Sequence, residues 1–190
     1  QVAIEEKLEP KELIDNYLIK AMEEIGDRFE KQQAFVPELL MAGRAMKASL
    51  SLLQPLLKGD EATSQLGTIV IGTVKGDLHD IGKNLVGSMF EGCGFQVVDL
   101  GVDADSDKFV TAVKEHGANL VGLSALLTTT MPYMKTIIEG LKAAGLRDKV
   151  KVMVGGAPVS SSFAEEIGAD GYSDSANSAV IKAKELLGVA

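Results

Sequence analysis

The sequence predicts an α/β protein in which an N-terminal helical bundle precedes a doubly wound, five-stranded parallel sheet of the flavodoxin or Rossmann-like type. Up to about residue 57, apolar residues recur at helical spacing, whereas after Gly67 short apolar runs alternate with amphipathic segments. Alternating strands and helices favour a parallel sheet covered on both faces, because each crossover helix packs back against the sheet.

The N-terminal part of the chain is predicted to be helical. Its apolar positions are spaced three or four residues apart, and Pro10 and Pro37 stand where a helix tolerates proline, in its first turn. We expect three or four helices, the first of them incomplete, in a domain of residues 1–60. The polar stretch Lys58–Gly67 then reads as a flexible linker to a second domain of residues 67–190.

Five strands and five helices are predicted in the second domain. The strands are Thr68–Val74, Gln96–Leu100, Leu120–Leu126, Lys151–Val154 and Gly171–Tyr172. The helices are Ile81–Glu91, Ser106–Glu115, Pro132–Ala144, Ser160–Ile167 and Asn177–Leu187. Continuous apolar runs such as residues 68–71 and 150–154 are typical of strands that are covered by helices.

Composition excludes several classes of function. The formal net charge of −8 disfavours nucleic-acid binding, since affinity for a phosphate backbone comes from lysine and arginine. Cys93 is the only cysteine, so no internal disulfide is possible and a reducing compartment is expected. No apolar run approaches membrane-spanning length, and residues 1–11 lack a signal-peptide pattern. The chain begins at Gln1, so we expect that upstream residues have been removed, and we expect a cytoplasmic location without a membrane partner.

The distinctive residues follow three of the predicted strands. They occupy residues 75–84, 124–130 and 155–157. In an open parallel sheet the carboxyl ends of the strands share one edge, and ligands bind there at the point where strand order reverses. The sequence therefore predicts a single binding site at this edge.

His79 and Asp77 indicate the chemistry of that site. A zinc centre needs three or four protein ligands, which two histidines and one cysteine scattered over the chain do not supply. The phosphate-binding pattern Gly-x-x-x-x-Gly-Lys-Ser/Thr is also absent. A single histidine suffices as ligand if a macrocycle already supplies the equatorial nitrogens of the metal. Asp77 is placed to bind the far ring nitrogen, which would fix the tautomer and raise the basicity of the ligand.

These stretches resemble a known cofactor-binding signature. Asp77-x-His79-x-x-Gly82, then Ser124-x-Leu126, then Gly155-Gly156 are similar to the cobalamin-binding motif shared by methionine synthase, B12-dependent mutases and corrinoid methyltransferase proteins. The resemblance implies that His79 is the lower axial ligand of cobalt, with Asp77 as its partner and Thr130 extending the relay, where methionine synthase has a serine. The cofactor-binding set that it implies is completed by Gly76, Asp80, Ile81, Gly82, Ser124, Leu126, Thr128, Gly155 and Gly156.

Residues 25–46 resemble the helical cap of the methyltransferase branch. The resemblance places Phe29 and Val36 over the methyl position of the cofactor, although the family usually has leucine or a similar residue where Val36 stands. It implies a corrinoid protein that carries a methyl group on cobalt from a substrate-specific methyltransferase to a second methyltransferase with a thiol or tetrahydrofolate acceptor. The implied cofactor is cobalamin or a related corrinoid, methylcobalamin in the loaded state. The implied partners also include a reductive activation protein, and the chain would be one component and not a complete enzyme.

Other interpretations remain open at this point. The chain could be the small subunit of an adenosylcobalamin mutase, which the helical cap disfavours, or a cobalamin sensor, which the lack of a basic recognition helix disfavours. At single positions the ordinary alternatives are structural. Thr128 and Thr130 could belong to a helix N-cap, Gly155-Gly156 could form a plain turn, and Phe29 and Val36 could be bundle core.

Overall fold

A five-stranded parallel sheet forms the centre of the computed structural model, which describes Glu6 and residues 8–57 and 66–189. The strands are β1 (Thr68–Thr73), β2 (Gln96–Asp99), β3 (Leu120–Ser124), β4 (Lys151–Gly155) and β5 (Gly171–Tyr172). Their order across the sheet is β2–β1–β3–β4–β5, and every neighbouring pair is parallel. The order reverses between β1 and β3, so the predicted doubly wound fold is confirmed and its switch point lies there.

Helices cover both faces of the sheet. After the two N-terminal helices, the order is α3 (Ile81–Gly92), α4 (Ser106–His116), α5 (Pro132–Ala143), α6 (Ser161–Ile167) and α7 (Ala176–Leu187). Helices α4, α5 and α6 enclose one core, around Phe109 and Met134, while α3 and α7 enclose the other, around Phe90 and Val180. Side-chain N-caps begin α4, α6 and α7, and left-handed glycines end them, so local sequence sets these boundaries.

The N-terminal segment forms a third layer against α3 and α7. Helix α1 runs without a break through Pro10–Leu13, a π-helical turn at Ile14–Leu18 and Ile19–Glu30, and α2 spans Val36–Leu53. Within the described residues the segment has two long helices, whereas the expected three or four helices also covered residues outside the described ones, so that count stays a prediction. The linker predicted at 58–67 lies mostly outside the described residues, so the proposed domain boundary stays a prediction.

Helix α1 is anchored to α7 by polar contacts and by close backbone approach. The contacts are Glu23 with Lys184 at 2.7 Å, Asp27 with Asn177 at 3.3 Å, and Glu30 with Ser175 at 2.6 Å. Between them, Gly26 lies so close to Asn177 that a Cβ there would collide with its amide. This packing sets the position of Phe29 over the carboxyl edge of the sheet. None of the described helices is both long and apolar enough to cross a membrane.

Candidate functional site

The loop between β1 and α3 is held rigidly at the switch point. The hydroxyl of Thr73, the last residue of β1, donates to the carbonyl oxygen of His79 at 2.8 Å. The Gly76 N–H donates to the Asp103 carboxylate at 2.7 Å, and Gly76 has the positive φ of +82° that suits a glycine at this bend. The backbone of the loop is therefore tied to β1 and to the segment that follows β2.

The Asp77 carboxylate, which is fully buried, joins this loop to the one after β3. Its Oδ1 accepts hydrogen bonds from the His79 ring at Nδ1, 2.7 Å away, and from the His79 N–H at 3.1 Å. Its Oδ2 accepts from the N–H groups of Leu126 and Leu127, at 2.7 and 3.2 Å, and from the Thr130 hydroxyl at 2.8 Å. Five donors thus converge on one carboxylate, which fixes the orientation of the imidazole.

These hydrogen bonds determine which nitrogen of His79 is available. Burial alone would raise the pKa of Asp77. The hydrogen bonds from the Leu126 N–H, the His79 ring and N–H, and the Thr130 hydroxyl outweigh it, so the pKa lies well below its usual range. An ionised carboxylate only accepts, so Nδ1 carries the proton, and in the neutral imidazole the lone pair is then on Nε2. His79 is 52% exposed at the side chain, and Nε2 has no partner among the described residues. It is therefore available to bind a metal.

Strands β1, β2 and β3 end earlier than predicted, β2 at Asp99 and not at Leu100, and this network accounts for the end of β3. β1 ends at Thr73 and not at Val74, which makes only an isolated bridge with Ala104. β3 ends at Ser124 and not at Leu126, whose N–H leaves the sheet ladder for the Asp77 carboxylate. A hydrogen bond to a buried ion is stronger than one between neutral groups. The Leu126 N–H therefore bonds to the Asp77 carboxylate and not to a neighbouring strand, and β3 ends there.

A cavity of 710 Å³ opens beside His79 and runs between the sheet and helices α3 and α7. Gly122, in the middle of β3, supplies its floor, since a Cβ there would lie 3.2 Å from the Ile71 side chain and fill the space. Glycine inside a strand commonly marks such an approach of another group. The cavity therefore extends from the surface into the core, where buried residues such as Ile69 and Phe90 line it.

The glycines at the mouth of the cavity differ in whether the fold leaves room for a side chain. Gly156 has a φ of +127°, and a Cβ there would collide with the Ala125 carbonyl. A Cβ on Gly155 would lie 3.1 Å from the Ser173 carbonyl oxygen. At Gly82 a Cβ would have no neighbour within 4 Å. The fold thus requires Gly156, whereas it leaves Gly82 open to the cavity.

The structure brings most of the residues predicted from the sequence to this site. The cavity-lining members are Phe29, His79, Asp80, Ile81, Gly82, Ser124, Leu126, Gly155 and Gly156. Asp77 and Thr130 stand behind His79, and Gly76 shapes the loop. Thr128 is exposed and outside the lining, and Val36, 42% exposed at the start of α2, is not brought to the cavity either.

Sequence reasoning missed the inner walls of the cavity and part of its mouth. Phe90 of α3, Met153 of β4 and Ala179 of α7 line it together with Gly122 and residues 172–175. The mid-strand Gly122 was a usable signal, since it interrupts an otherwise apolar run. The other three looked like ordinary core residues, because a residue that lines a closed cavity has the same local pattern as one that packs against a neighbour.

An apolar rim surrounds His79. Leu78 and Ile81 are 72% and 85% exposed, and Leu126 and Leu127 are also exposed beside them. Large apolar side chains grouped on a surface indicate a site for a ligand or a partner. Among the described residues there is no group of three or more metal-binding side chains, and at this site they offer a metal one nitrogen, that of His79. One free imidazole surrounded by apolar side chains fits a metal that is already coordinated by the nitrogens of a large macrocycle.

Comparisons with known proteins agree with this geometry. Two family models, each described as a B12 binding domain, match residues 67–181 and residues 1–54. The dimethylamine corrinoid protein of Methanosarcina barkeri is 49% identical over 181 residues, covering 95% of this chain and 85% of the relative. A corrinoid protein of Desulfitobacterium hafniense is 44% identical over 190 residues, covering 99% and 88%.

Solved structures with the same fold include a cobalamin-binding protein from Desulfitobacterium hafniense. It has a TM-score of 0.79 and 38% identity, with coverage of 93% of this chain and 82% of that one. The methanol:cobalamin methyltransferase complex of Methanosarcina barkeri also has a TM-score of 0.79, at 28% identity, with coverage of 96% and 69%. The chain therefore belongs to the family of B12-binding corrinoid proteins associated with methyltransferases, and its cofactor is cobalamin or a related corrinoid.

Proposed function

We propose that this protein carries a methyl group between two enzymes, a substrate-specific methyltransferase and a second methyltransferase with a thiol or tetrahydrofolate acceptor. The observation that carries the proposal is the single free imidazole of His79, held by the buried Asp77 at the mouth of an apolar-rimmed cavity. A reductive activation protein would serve as third partner. The relatives that are named as dimethylamine corrinoid proteins favour a methylated amine as the donor.

When bound, the corrinoid supplies the cobalt that accepts and gives up the methyl group. The chain's own residues hold and orient the cofactor. His79 would bind cobalt through Nε2, while the carboxylate of Asp77 keeps the proton on Nδ1 and the Thr130 hydroxyl keeps the carboxylate in place. Ser124, Gly155 and Gly156 would receive the nucleotide tail at the mouth of the cavity.

The helical layer supports the assignment to a methyl carrier. Phe29 projects to the cavity from α1, which is anchored on α7 by three polar contacts. Phe29 would shelter the bound cofactor. Activation of a poor leaving group such as an amine requires a positioned acid or an equivalent pocket. The titratable groups that line the cavity are His79, Asp80, Lys83, Tyr172 and Asp174, and Lys83 is already paired with Asp99. We therefore assign activation of the donor to the partner enzyme.

The test is methyl transfer with purified components. The reduced holo-protein is mixed with dimethylamine, monomethylamine or methanol, with and without the methyltransferase encoded beside it, and methylation of the cofactor is followed by its visible spectrum. Methylation of the cofactor should occur only when the partner methyltransferase is present, and with only one class of donor. His116→Ala, which alters the other, exposed histidine, should behave as wild type. Rapid, saturable demethylation of a donor by this chain alone would show that it is a complete enzyme and not a carrier.

A further inference from the structure

We propose that the inner end of the cavity selects corrinoids whose lower base is a benzimidazole and rejects those whose base is an adenine. The inference concerns which corrinoid is bound, so it extends the proposed function without depending on methyl transfer. It follows from the depth of the cavity, from the distribution of polar groups along it and from the hydrogen-bonding needs of the two bases.

The cavity is deep enough to bury a nucleotide base. Its lining extends from Ser124, at the carboxyl end of β3, down to Ile69 of β1. In the sheet register Thr73 lies beside Ser124 and Ile69 lies beside Leu120, so the lining spans four residues of strand. At about 3.3 Å per residue this is about 13 Å below the rim. A tail that enters beside His79 would therefore place its far end among the residues at the level of Ile69 and Ile71.

Polar side chains line the mouth but not the inner end. At the mouth are Ser124, Asp80 and residues 172–175, with Tyr172 at the carboxyl end of β5. The inner walls consist of apolar side chains and one glycine, all of them buried: Ile69, Ile71, Phe90, Gly122, Met153 and Ala179. The backbone groups of β1, β3 and β4 along this stretch belong to the parallel ladder, which engages their hydrogen-bonding capacity.

Lys83 is the one buried charge on the lining, and its donors are engaged. Its Nζ lies 2.6 Å from each carboxylate oxygen of Asp99 and 2.7 Å from the amide oxygen of Asn84. An ammonium group has three donors, and three acceptors surround this one. The described walls therefore offer a buried base apolar contact without a free hydrogen-bond partner.

The two classes of base differ in what they lose on entering such a space. The carbon edge and methyl groups of dimethylbenzimidazole need no partner. Adenine has an exocyclic amine and ring nitrogens that are hydrogen-bonded in water and would be left unpaired, which is unfavourable. Both bases are bicyclic rings of similar size. A difference in affinity between the two corrinoids therefore reflects the polarity of the base and not its size. We expect the adenine form to bind about tenfold more weakly or worse.

The experiment is equilibrium dialysis of the full-length apo-protein against cobalamin, adeninyl cobamide and cobinamide, which lacks the nucleotide tail. Cobalamin should bind tightest, with both other corrinoids weaker. Met153→Gln adds an amide of similar length to the inner wall and should narrow the preference for cobalamin over adeninyl cobamide, whereas Met153→Leu should preserve it. Ala179→Ser, which adds a hydroxyl with little extra volume, repeats the test if Met153→Gln does not fold.

Equal affinities for cobalamin and adeninyl cobamide would overturn the proposal, as would cobinamide binding as tightly as cobalamin. A preference that Met153→Gln and Ala179→Ser both leave unchanged would overturn the assignment of selectivity to the inner walls. Since neither a methyl donor nor a partner enzyme is present, these outcomes are independent of methyl carriage. A protein that prefers cobalamin but fails in the methyl-transfer assay would retain this inference and lose only the proposed function.

Discussion

The Nδ1 atom of His79 lies 2.7 Å from Oδ1 of Asp77, a carboxylate with no exposed surface. The other oxygen of that carboxylate is held by Leu126, Leu127 and Thr130, all of which follow β3. The geometry of the imidazole is thus set by the two strands that flank the switch point. A substitution in the loop after β1 or in the loop after β3 should therefore alter the position of the His79 ring through Asp77.

Replacing His79 by alanine should remove the protein nitrogen from cobalt. In the Co(II) state of the holo-protein, the nitrogen splitting of the EPR spectrum should lose its imidazole contribution, because we propose that Nε2 of His79, at the mouth of the cavity, binds the cobalt. His116→Ala is the matched control and should leave the spectrum unchanged. An unaltered imidazole signal in His79→Ala would exclude this residue as the axial ligand.

Asp77→Asn should destabilise the protein in a pH-dependent manner. The pKa of Asp77 is lowered in the folded protein, whereas an unfolded aspartate titrates near about 3.9. Its stabilising hydrogen bonds are therefore fully effective above about pH 5 and are lost as the pH falls below about 4, towards the folded pKa. We expect a cost of about 1–3 kcal/mol at pH 7.

Urea unfolding of wild type and Asp77→Asn between about pH 7 and 3 tests this linkage. The difference in unfolding free energy should be constant at the upper end of that range and shrink at the lower end. Asp107→Asn, at an exposed position on α4, is the control and should show little effect. A difference between wild type and Asp77→Asn that does not change with pH would contradict the linkage.

Gly82→Ala should lower the affinity for cobalamin without lowering the stability of the apo-protein. A Cβ at Gly82 meets no protein atom within 4 Å, and alanine favours the first turn of α3 by up to about 1 kcal/mol. The thermal stability of the apo-protein should therefore be equal or higher, while cobalamin affinity falls because the methyl group enters the cavity. Gly156→Ala should destabilise the apo-protein itself, since its Cβ meets the Ala125 carbonyl. If Gly82→Ala binds cobalamin normally, the residue lies outside the ligand contact.

Cys93 should be unreactive in the folded protein. Burial raises the pKa of its thiol to about 11, and only 1% of the residue is exposed. Alkylation by iodoacetamide at about pH 8 should therefore proceed only through opening of the core, because the thiolate is the reactive form. Mass spectrometry should detect slow modification of the native protein and fast modification in urea. Equally fast modification under both conditions would show that α3 is not packed as described.

Much of the fold could be predicted from the sequence because its signals are local. Alternating apolar runs and amphipathic segments predicted all five strands, and capping residues such as Ser160 and Gly168 set helix ends that the structure reproduces within a residue or two. The three unusual loops could be assigned to one edge because parallel strands share the direction of their carboxyl ends. The spacing of Asp77 and His79 predicted their pairing, since two residues in a loop are close whatever the rest of the chain does.

Only the tertiary structure decided the remaining features, because they depend on contacts between residues far apart in the sequence. The Thr130 hydroxyl meets Asp77 across 53 positions, and Leu126 leaves β3 early for the same carboxylate. Glu30 and Ser175 join α1 to α7 across 145 positions and so bring Phe29, but not Val36, to the cavity. The cavity exists because packing leaves space over Gly122, and a residue that lines that space cannot be distinguished by sequence from one that fills it.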